Sequence, residues 1–214
     1  MTQCKLEYNP VYTVSSKRQQ TKSRILESAR KLLVERGYHG VGLEAVARDA
    51  GVSRQALYLH FKSKSDLLVA TAQYNDDLLG VPDLLRPAQE AKTALEALDA
   101  GVAAYVQIQP QIYDLASVIY ATRRSDDAAE ATWQDRMAFR RENITKVIKR
   151  LEEEGILADG WTVDEAADFA WSVLSIHTYE YLVVERKWPL DQFLRRLQMI
   201  LRRILVAEPN NSRP

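Results

Sequence analysis

The stretch Gly51-Val52-Ser53-Arg54-Gln55-Ala56-Leu57-Tyr58-Leu59-His60-Phe61-Lys62-Ser63-Lys64 decides the reading of this chain. It spells a tight turn, a short helix with one apolar edge and one hydrogen-bonding edge, and a basic cap. Gly51 suits the C′ position that ends a preceding helix. Ser53 is placed to N-cap the next helix, over roughly 54–60. Leu57 and Phe61 stand four residues apart and face inward, which turns Arg54, Gln55, Tyr58 and His60 outward beside Lys62 and Lys64. Two short helices around a glycine turn form a helix-turn-helix, and the exposed second helix is the kind that enters a DNA major groove.

The flanks extend the pattern. Thr21 is read as the N-cap of a first helix with Ile25, Ala29, Leu32 and Leu33 on one stripe, ended by Gly37 and Gly40. A second helix covers 43–50, with Leu43, Val46 and Ala47 inward. Ser63 and Asp66 form a capping box for a fourth, over 64–79. Val81-Pro82 and Arg86-Pro87 read as a break. Thr93-x-x-Glu96 then opens a helix that Pro110 closes, and another spans about 111–122. A long helix over 126–154 stops at Gly155, Thr162-x-x-Glu165 opens one to about Arg186, and Pro189 starts the last, to about Val206. No alternating strand pattern or internal repeat is present. The fold expected is all-α with about nine helices: a flexible arm (1–16), a three-helix helix-turn-helix DNA-binding domain (17–65), a helical ligand-binding and dimerisation domain (66–208), and a tail (209–214).

Composition agrees. Apolar residues at 46% and charged residues at 27% suit a globular chain with a real core. No apolar run is long enough to cross a bilayer, and residues 1–16 lack the basic start and apolar centre of a signal peptide. The single Cys4 cannot form an internal disulfide, so a reduced, cytoplasmic protein is expected. The formal net charge of zero hides an asymmetry: 11 Lys/Arg against 4 Asp/Glu over residues 17–65, then 17 against 24 from 66 onward. Local positive charge is what binds phosphate, so a basic head on an acidic body suits a DNA-binding module joined to one that does not bind DNA.

The run Ile25…Ala29…Leu32…Gly37-Tyr38, then Val46-Ala47-x-x-Ala50-Gly51-Val52-Ser53-x-x-x-Leu57-Tyr58-x-His60-Phe61-x-Ser63-Lys64-x-x-Leu67-Leu68, resembles the tetracycline-repressor (TetR/AcrR) family of bacterial regulators over about the first third of the chain. The remainder resembles the family only in the number and length of its helices and in the paired terminal helices. The resemblance implies a homodimeric transcriptional regulator, most readily a ligand-released repressor on a palindromic operator. Its two recognition helices would enter grooves about 34–36 Å apart or somewhat wider. It places Arg54, Gln55 and Tyr58 near bases or phosphates, and His60 and Lys64 on the backbone, with Ser53, Gly42 and Leu43 completing the contact set. The chemistry agrees, since an Arg fork pairs with guanine and a Gln amide with adenine. Where the family usually has Thr or Ser at the start of helix 2, this chain has Gly42-Leu43, so backbone amides alone must cap and grip there.

Aromatic and polar residues on successive C-terminal helices, Tyr105, Tyr113, Tyr120, Trp133, Met137, Phe139, Trp171, His177 and Tyr179, are candidates for lining a pocket for a small apolar or aromatic effector. The plainer reading is an aromatic core. His177, in an apolar stretch, needs a Tyr hydroxyl, a carboxylate or a ligand as partner. Ala166, Ala170, Val173, Phe193, Leu197, Ile200, Leu201 and Ile204 form the broad stripe expected to meet a second copy, unless both helices pack within one core. Gly40-x-Gly42-x-x-Ala45 lacks the preceding strand of a dinucleotide site. His39, His60, His177 and Cys4 lack ligand spacing, so no metal, cofactor or catalytic residue is expected. Cys4 is either an oxidant sensor or, more commonly, a spare thiol. Three alternatives are weighed: a small-molecule- or partner-binding helical protein whose helix-turn-helix no longer reads DNA, an enzyme built in the C-terminal domain, which no residue spacing implies, and an activator of the same family.

Overall fold

Most helix starts in this chain are set by side chains that accept from first-turn amides. The Ser53 Oγ takes the Ala56 N–H at 3.1 Å. Ser63 with Asp66, Thr93 with Glu96, and Thr162 with Glu165 form three reciprocal capping boxes. The computed structural model describes residues 17–207, and the arm at 1–16, Cys4 and the tail at 209–214 lie outside the described residues. The helices are α1 (Lys17–Arg36), α2 (Leu43–Asp49), α3 (Arg54–Tyr58), α4 (Lys64–Leu79), α5 (Val81–Glu90), α6 (Ala94–Thr122), α7 (Asp127–Glu153), α8 (Val163–Val173), α9 (Ile176–Tyr179) and α10 (Leu190–Leu205). A π-turn, Glu180–Glu185, continues α9. Among the described residues the one extended pairing is an isolated bridge between Leu157 and Val206.

Several boundaries differ from the sequence reading, each for a physical reason. Thr21 caps nothing: it lies inside α1, and its hydroxyl donates to the Lys17 carbonyl at 2.9 Å. The Val81–Pro87 stretch is not a break but α5. Gly80, at φ 56°, turns the chain, and Pro82 falls in the first helical turn, where a missing N–H costs nothing. Pro110 does not close a helix; it sits on an exposed face inside the 29-residue α6. Buried residues before and after it, Tyr105, Val106, Leu115 and Ile119, hold both halves in line against the cost of the proline. The helix expected over 162–186 is interrupted at Leu174 and Ser175, where Ser175 caps α9 and its carbonyl accepts from the Tyr105 hydroxyl at 2.6 Å.

Two buried clusters follow. The first joins Ile25, Leu32, Val46, Leu57, Phe61 and Leu68 of α1–α4 and their loops with Leu115 and Ile119 of α6 and Ala129 of α7. The second gathers Val102 and Tyr105 of α6, Ile148 and Leu151 of α7, Ala166 and Ala170 of α8, and Phe193, Leu197, Leu201 and Leu205 of α10. α6, about 43 Å long at 1.5 Å per residue, belongs to both. The boundary expected at 65/66 falls inside the first turn of α4, with no linker there.

Asp126 bolts the head to the body. One carboxylate oxygen caps α7 by accepting the Ala129 N–H at 2.9 Å, and the other accepts the Tyr38 hydroxyl at 2.6 Å and the Ser65 hydroxyl at 2.8 Å. Burial disfavours its charge, but the bonds from Tyr38, the backbone amides and Ser65 outweigh that and hold the carboxyl below the ordinary range. A depressed carboxyl stabilises the fold above its unfolded pKa of about 3.9 and loses that contribution as pH falls through the lower folded value. Asp126→Ala should therefore cost about 1–3 kcal/mol in urea unfolding at neutral pH. The gap from wild type should shrink as the pH drops below about 4.

Candidate functional site

α3 has five residues and presents most of them to solvent. Leu57 is fully buried and Phe61 nearly so, and these two anchor it from behind. Arg54, Gln55, Tyr58 and Leu59 are exposed, with Leu59 at 73% the most exposed large apolar side chain among the described residues. The Arg54 guanidinium pairs with Glu44 of α2 at 2.6 Å and lies 5.6 Å from the centre of the Tyr58 ring. His60 is half-buried. Its burial, and then the charges of Arg18 and Lys22 on α1, push its pKa down. Those two exposed cations extend the basic face beyond the residues picked out from the sequence. Their one signal there is a spacing of four on the first helix.

Lys64 opens α4 with its amine 4.2 Å from the Tyr38 ring centre, folded over the ring. Gly42 caps α2 without any side-chain bond, and a Cβ placed there would meet nothing within 4 Å. The first amides of α2 therefore have no side-chain oxygen to accept them, as the Gly42-Leu43 sequence implies. Leu43 itself is half-buried against the first core.

The body holds a cavity of about 430 Å³ between α4, α5, α6, α7 and α8. Of the residues proposed from sequence, Tyr105, Trp133, Met137 and Phe139 line it. Tyr113, Tyr120, Trp171, His177 and Tyr179 do not, and this corrects the sequence reading. Tyr113 donates to Glu180 at 2.7 Å, and burial followed by that bond pushes its hydroxyl up to about 12. Tyr120 is edge-on to Trp133 and to His177, at 5.0 and 4.7 Å between ring centres. His177 is paired with Glu180 at 3.5 Å, so its partner is a carboxylate of the next turn. Trp171 stacks under the Arg140 guanidinium at 4.7 Å. Tyr179 packs on Tyr113 and Phe193.

Sequence reasoning missed the polar wall of this cavity. Asp76 pairs with Arg136 at 3.0 Å, Gln109 is 2% exposed, and Arg140 follows Met137 on the inward stripe that continues through Ile144, Val147 and Leu151. A cation inside an otherwise apolar stripe was the available signal. The exposed members of the lining, Gln89, Phe139 and Lys146, stand on α5 and α7, which places the mouth between those helices.

The stripe assigned to a second copy is largely used up at home. Ala166, Ala170, Phe193, Leu197 and Leu201 are buried in the chain's own second core, so they cannot form a contact surface. An amphipathic stripe records burial, and here the burial is intramolecular. Ile200 stays exposed on α10 beside Met199 and Leu190, with Ile204 and Val173 half-buried.

Residues 25–71, from α1 through the first half of α4, match the family model described as bacterial regulatory proteins, tetR family. Over that stretch the chain is similar to the tetR family. A stretch of 100 residues of the chain is 34% identical to the HTH-type transcriptional activator FasR of Mycolicibacterium smegmatis. That match takes in 46% of this chain and 46% of FasR, so it spans less than half the length of that relative. Among solved structures, the transcriptional regulator FadR of Bacillus subtilis, in complex with stearoyl-CoA, superposes with a TM-score of 0.70 at 19% identity, over 83% of this chain and 96% of FadR. NalD of Pseudomonas aeruginosa, the secondary repressor of the MexAB-OprM multidrug efflux pump, gives 0.67 at 21% identity, over 90% and 100%. At these identities the likeness is one of fold. No described helix is long and apolar enough to cross a membrane.

The division of labour on α3 is measurable by unfolding in urea. Leu57→Ala should lower stability by about 2–5 kcal/mol, because it empties a fully buried site. Arg54→Ala, which removes an exposed ion pair and an exposed contact with the Tyr58 ring, should leave stability within about 0.5 kcal/mol of wild type.

Proposed function

We propose that this chain is a sequence-specific DNA-binding transcriptional regulator that acts as a homodimer and responds to a small molecule held in its body. The observation that carries the reading is α3: Arg54, Gln55 and Tyr58 are exposed together on a helix fixed from behind by Leu57 and Phe61, within a tetR-family domain. Arg54 and Gln55 offer the two side chains best suited to guanine and adenine edges, and exposed Leu59 offers an apolar surface for a thymine methyl group. Arg18, Lys22, His60, Lys64 and the open amides of α2 supply the phosphate contacts that set register. Ser53 serves α3 as its cap.

The link between ligand and DNA runs along α4. Its first residue, Lys64, stands at the DNA face, while Ala72, Asn75 and Asp76 in its second half line the cavity. A ligand that favours one position of α4 over another changes the placing of α3, and its effect on DNA affinity equals that difference in binding free energy. Release of a repressor is the simplest outcome. The name of FasR supports activation as the second reading.

The exposed Ile200, Met199 and Leu190, with half-buried Ile204 and Val173, supply the self-complementary apolar patch for a twofold dimer.

Selection of bound duplexes from a random pool, followed by anisotropy titration, tests the reading. Recovery of an inverted repeat is expected, and retention of random DNA without enrichment would reject it. Arg54→Ala should flatten preference at one base pair per half-site by about 1–3 kcal/mol. Lys64→Ala should weaken all sequences alike and reduce the slope of log K against log salt by about one. In sedimentation at micromolar protein, Ile200→Glu should shift the dimer toward monomer, and an unchanged dimer would move the interface elsewhere.

A further inference from the structure

The polar wall of the cavity is unevenly satisfied, and that unevenness identifies its occupant. Arg136 has its charge answered by Asp76 at 3.0 Å, although its buried Nε, like that of Arg140, makes no hydrogen bond, and Arg150 donates to the carbonyls of Ala88 and Ala91 at 3.3 and 2.8 Å. Lys146, at the mouth, pairs with Glu142 at 2.7 Å. Among the described residues Arg140 has no carboxylate partner. One of its terminal nitrogens donates to the Trp171 carbonyl at 3.1 Å at the end of α8, its guanidinium lies on the Trp171 ring, and its Nε is buried with no acceptor. Burial pushes its pKa down to about 10, the mark of a cation lacking compensation. Gln109, buried on the facing helix α6, leaves its Oε1 without a donor. Around these two groups the lining is Leu98, Val102, Ile112, Ile144, Leu174 and other apolar side chains.

A buried cation is costly until an opposite charge and hydrogen bonds complete it. The chain provides Arg140 with a helix-end carbonyl and an aromatic face, which are partial charges only. We propose that the cavity binds an amphipathic organic acid, with its carboxylate on Arg140 and its hydrocarbon body against the apolar lining. Gln109 holds the polar end with its amide and accepts from any hydroxyl the acid carries. This rests on the proposed function for its regulatory meaning, but the binding itself does not require DNA. The plainer role of Arg140, as a C-terminal cap of α8, accounts for one of its donors and leaves the full charge unanswered.

The test uses the full chain and three probes of one tail length, dodecanoate, dodecanol and dodecyltrimethylammonium, titrated by calorimetry below their aggregation limits. Wild type should bind one dodecanoate per chain, at least about tenfold tighter than dodecanol, which is the factor a charged hydrogen bond contributes. The cationic probe should bind worst. Arg140→Met, close in length and uncharged, should abolish the preference for acid over alcohol while leaving dodecanol affinity unchanged, and Arg140→Lys should keep most of it. Equal binding of acid and alcohol by wild type would overturn the proposal without any variant. So would failure of all three probes to bind, or an equal loss of both neutral and acidic probes in Arg140→Met. Random-pool DNA selection with the ligand-free protein is scored separately: its failure would reject the regulator reading and leave the carboxylate preference standing.

Discussion

A helix of five residues cannot hold itself together in water, because the cost of nucleating it is recovered only over several further turns. α3 therefore exists because Leu57 and Phe61 are buried in a core that α1, α2 and α4 begin and that Leu115, Ile119 and Ala129 complete. The last three belong to the body. The surface proposed to read bases is thus braced by the same helices that enclose the cavity, and the Asp126 carboxylate adds a polar bolt to the apolar contact. Anything that shifts α6 or α7 near that joint reaches α3 through close-packed atoms. No flexible linker stands between the two parts to absorb it.

Local chemistry was the most legible part of the sequence. Ser53, the Ser63–Asp66, Thr93–Glu96 and Thr162–Glu165 pairs, and the left-handed glycines Gly51 and Gly155 all lie where their spacing put them. Each is decided within a few residues. The misreadings came where distant packing overruled a local signal. Pro110 carries the strongest stop signal in the chain, yet apolar residues on both sides of it are held by neighbours far away in sequence. Leu174 and Ser175 sit in a continuous apolar stretch and still break, because the freed Ser175 carbonyl meets the Tyr105 hydroxyl.

The same distinction runs through the sites. The outward residues of α3 follow from helical periodicity around two apolar anchors, so they could be read in advance. Which aromatics face the cavity depends on how four further helices are rotated, and the sequence does not encode that locally. Tyr105, Trp133 and Met137 line it, while Tyr113, Tyr120 and His177 interlock with Glu180 and with one another. Phe193 and Leu197 teach a related lesson: a broad apolar stripe specifies burial but is silent on whether the cover comes from the same chain or another.

Under the proposed reading, the Glu44–Arg54 pair gives the face of α3 a threshold for DNA. In the free protein the guanidinium is already engaged, so on the proposed reading a duplex would have to displace a carboxylate before the fork could pair with a base. Random sequence offers Arg54 only phosphate attraction, and that must also overcome the repulsion between Glu44 and the backbone. A correctly placed guanine offers two directed bonds in exchange. If α3 reads DNA as proposed, one exposed acid on the neighbouring helix would penalise indiscriminate adhesion more than the right site, sharpening discrimination without adding any contact of its own.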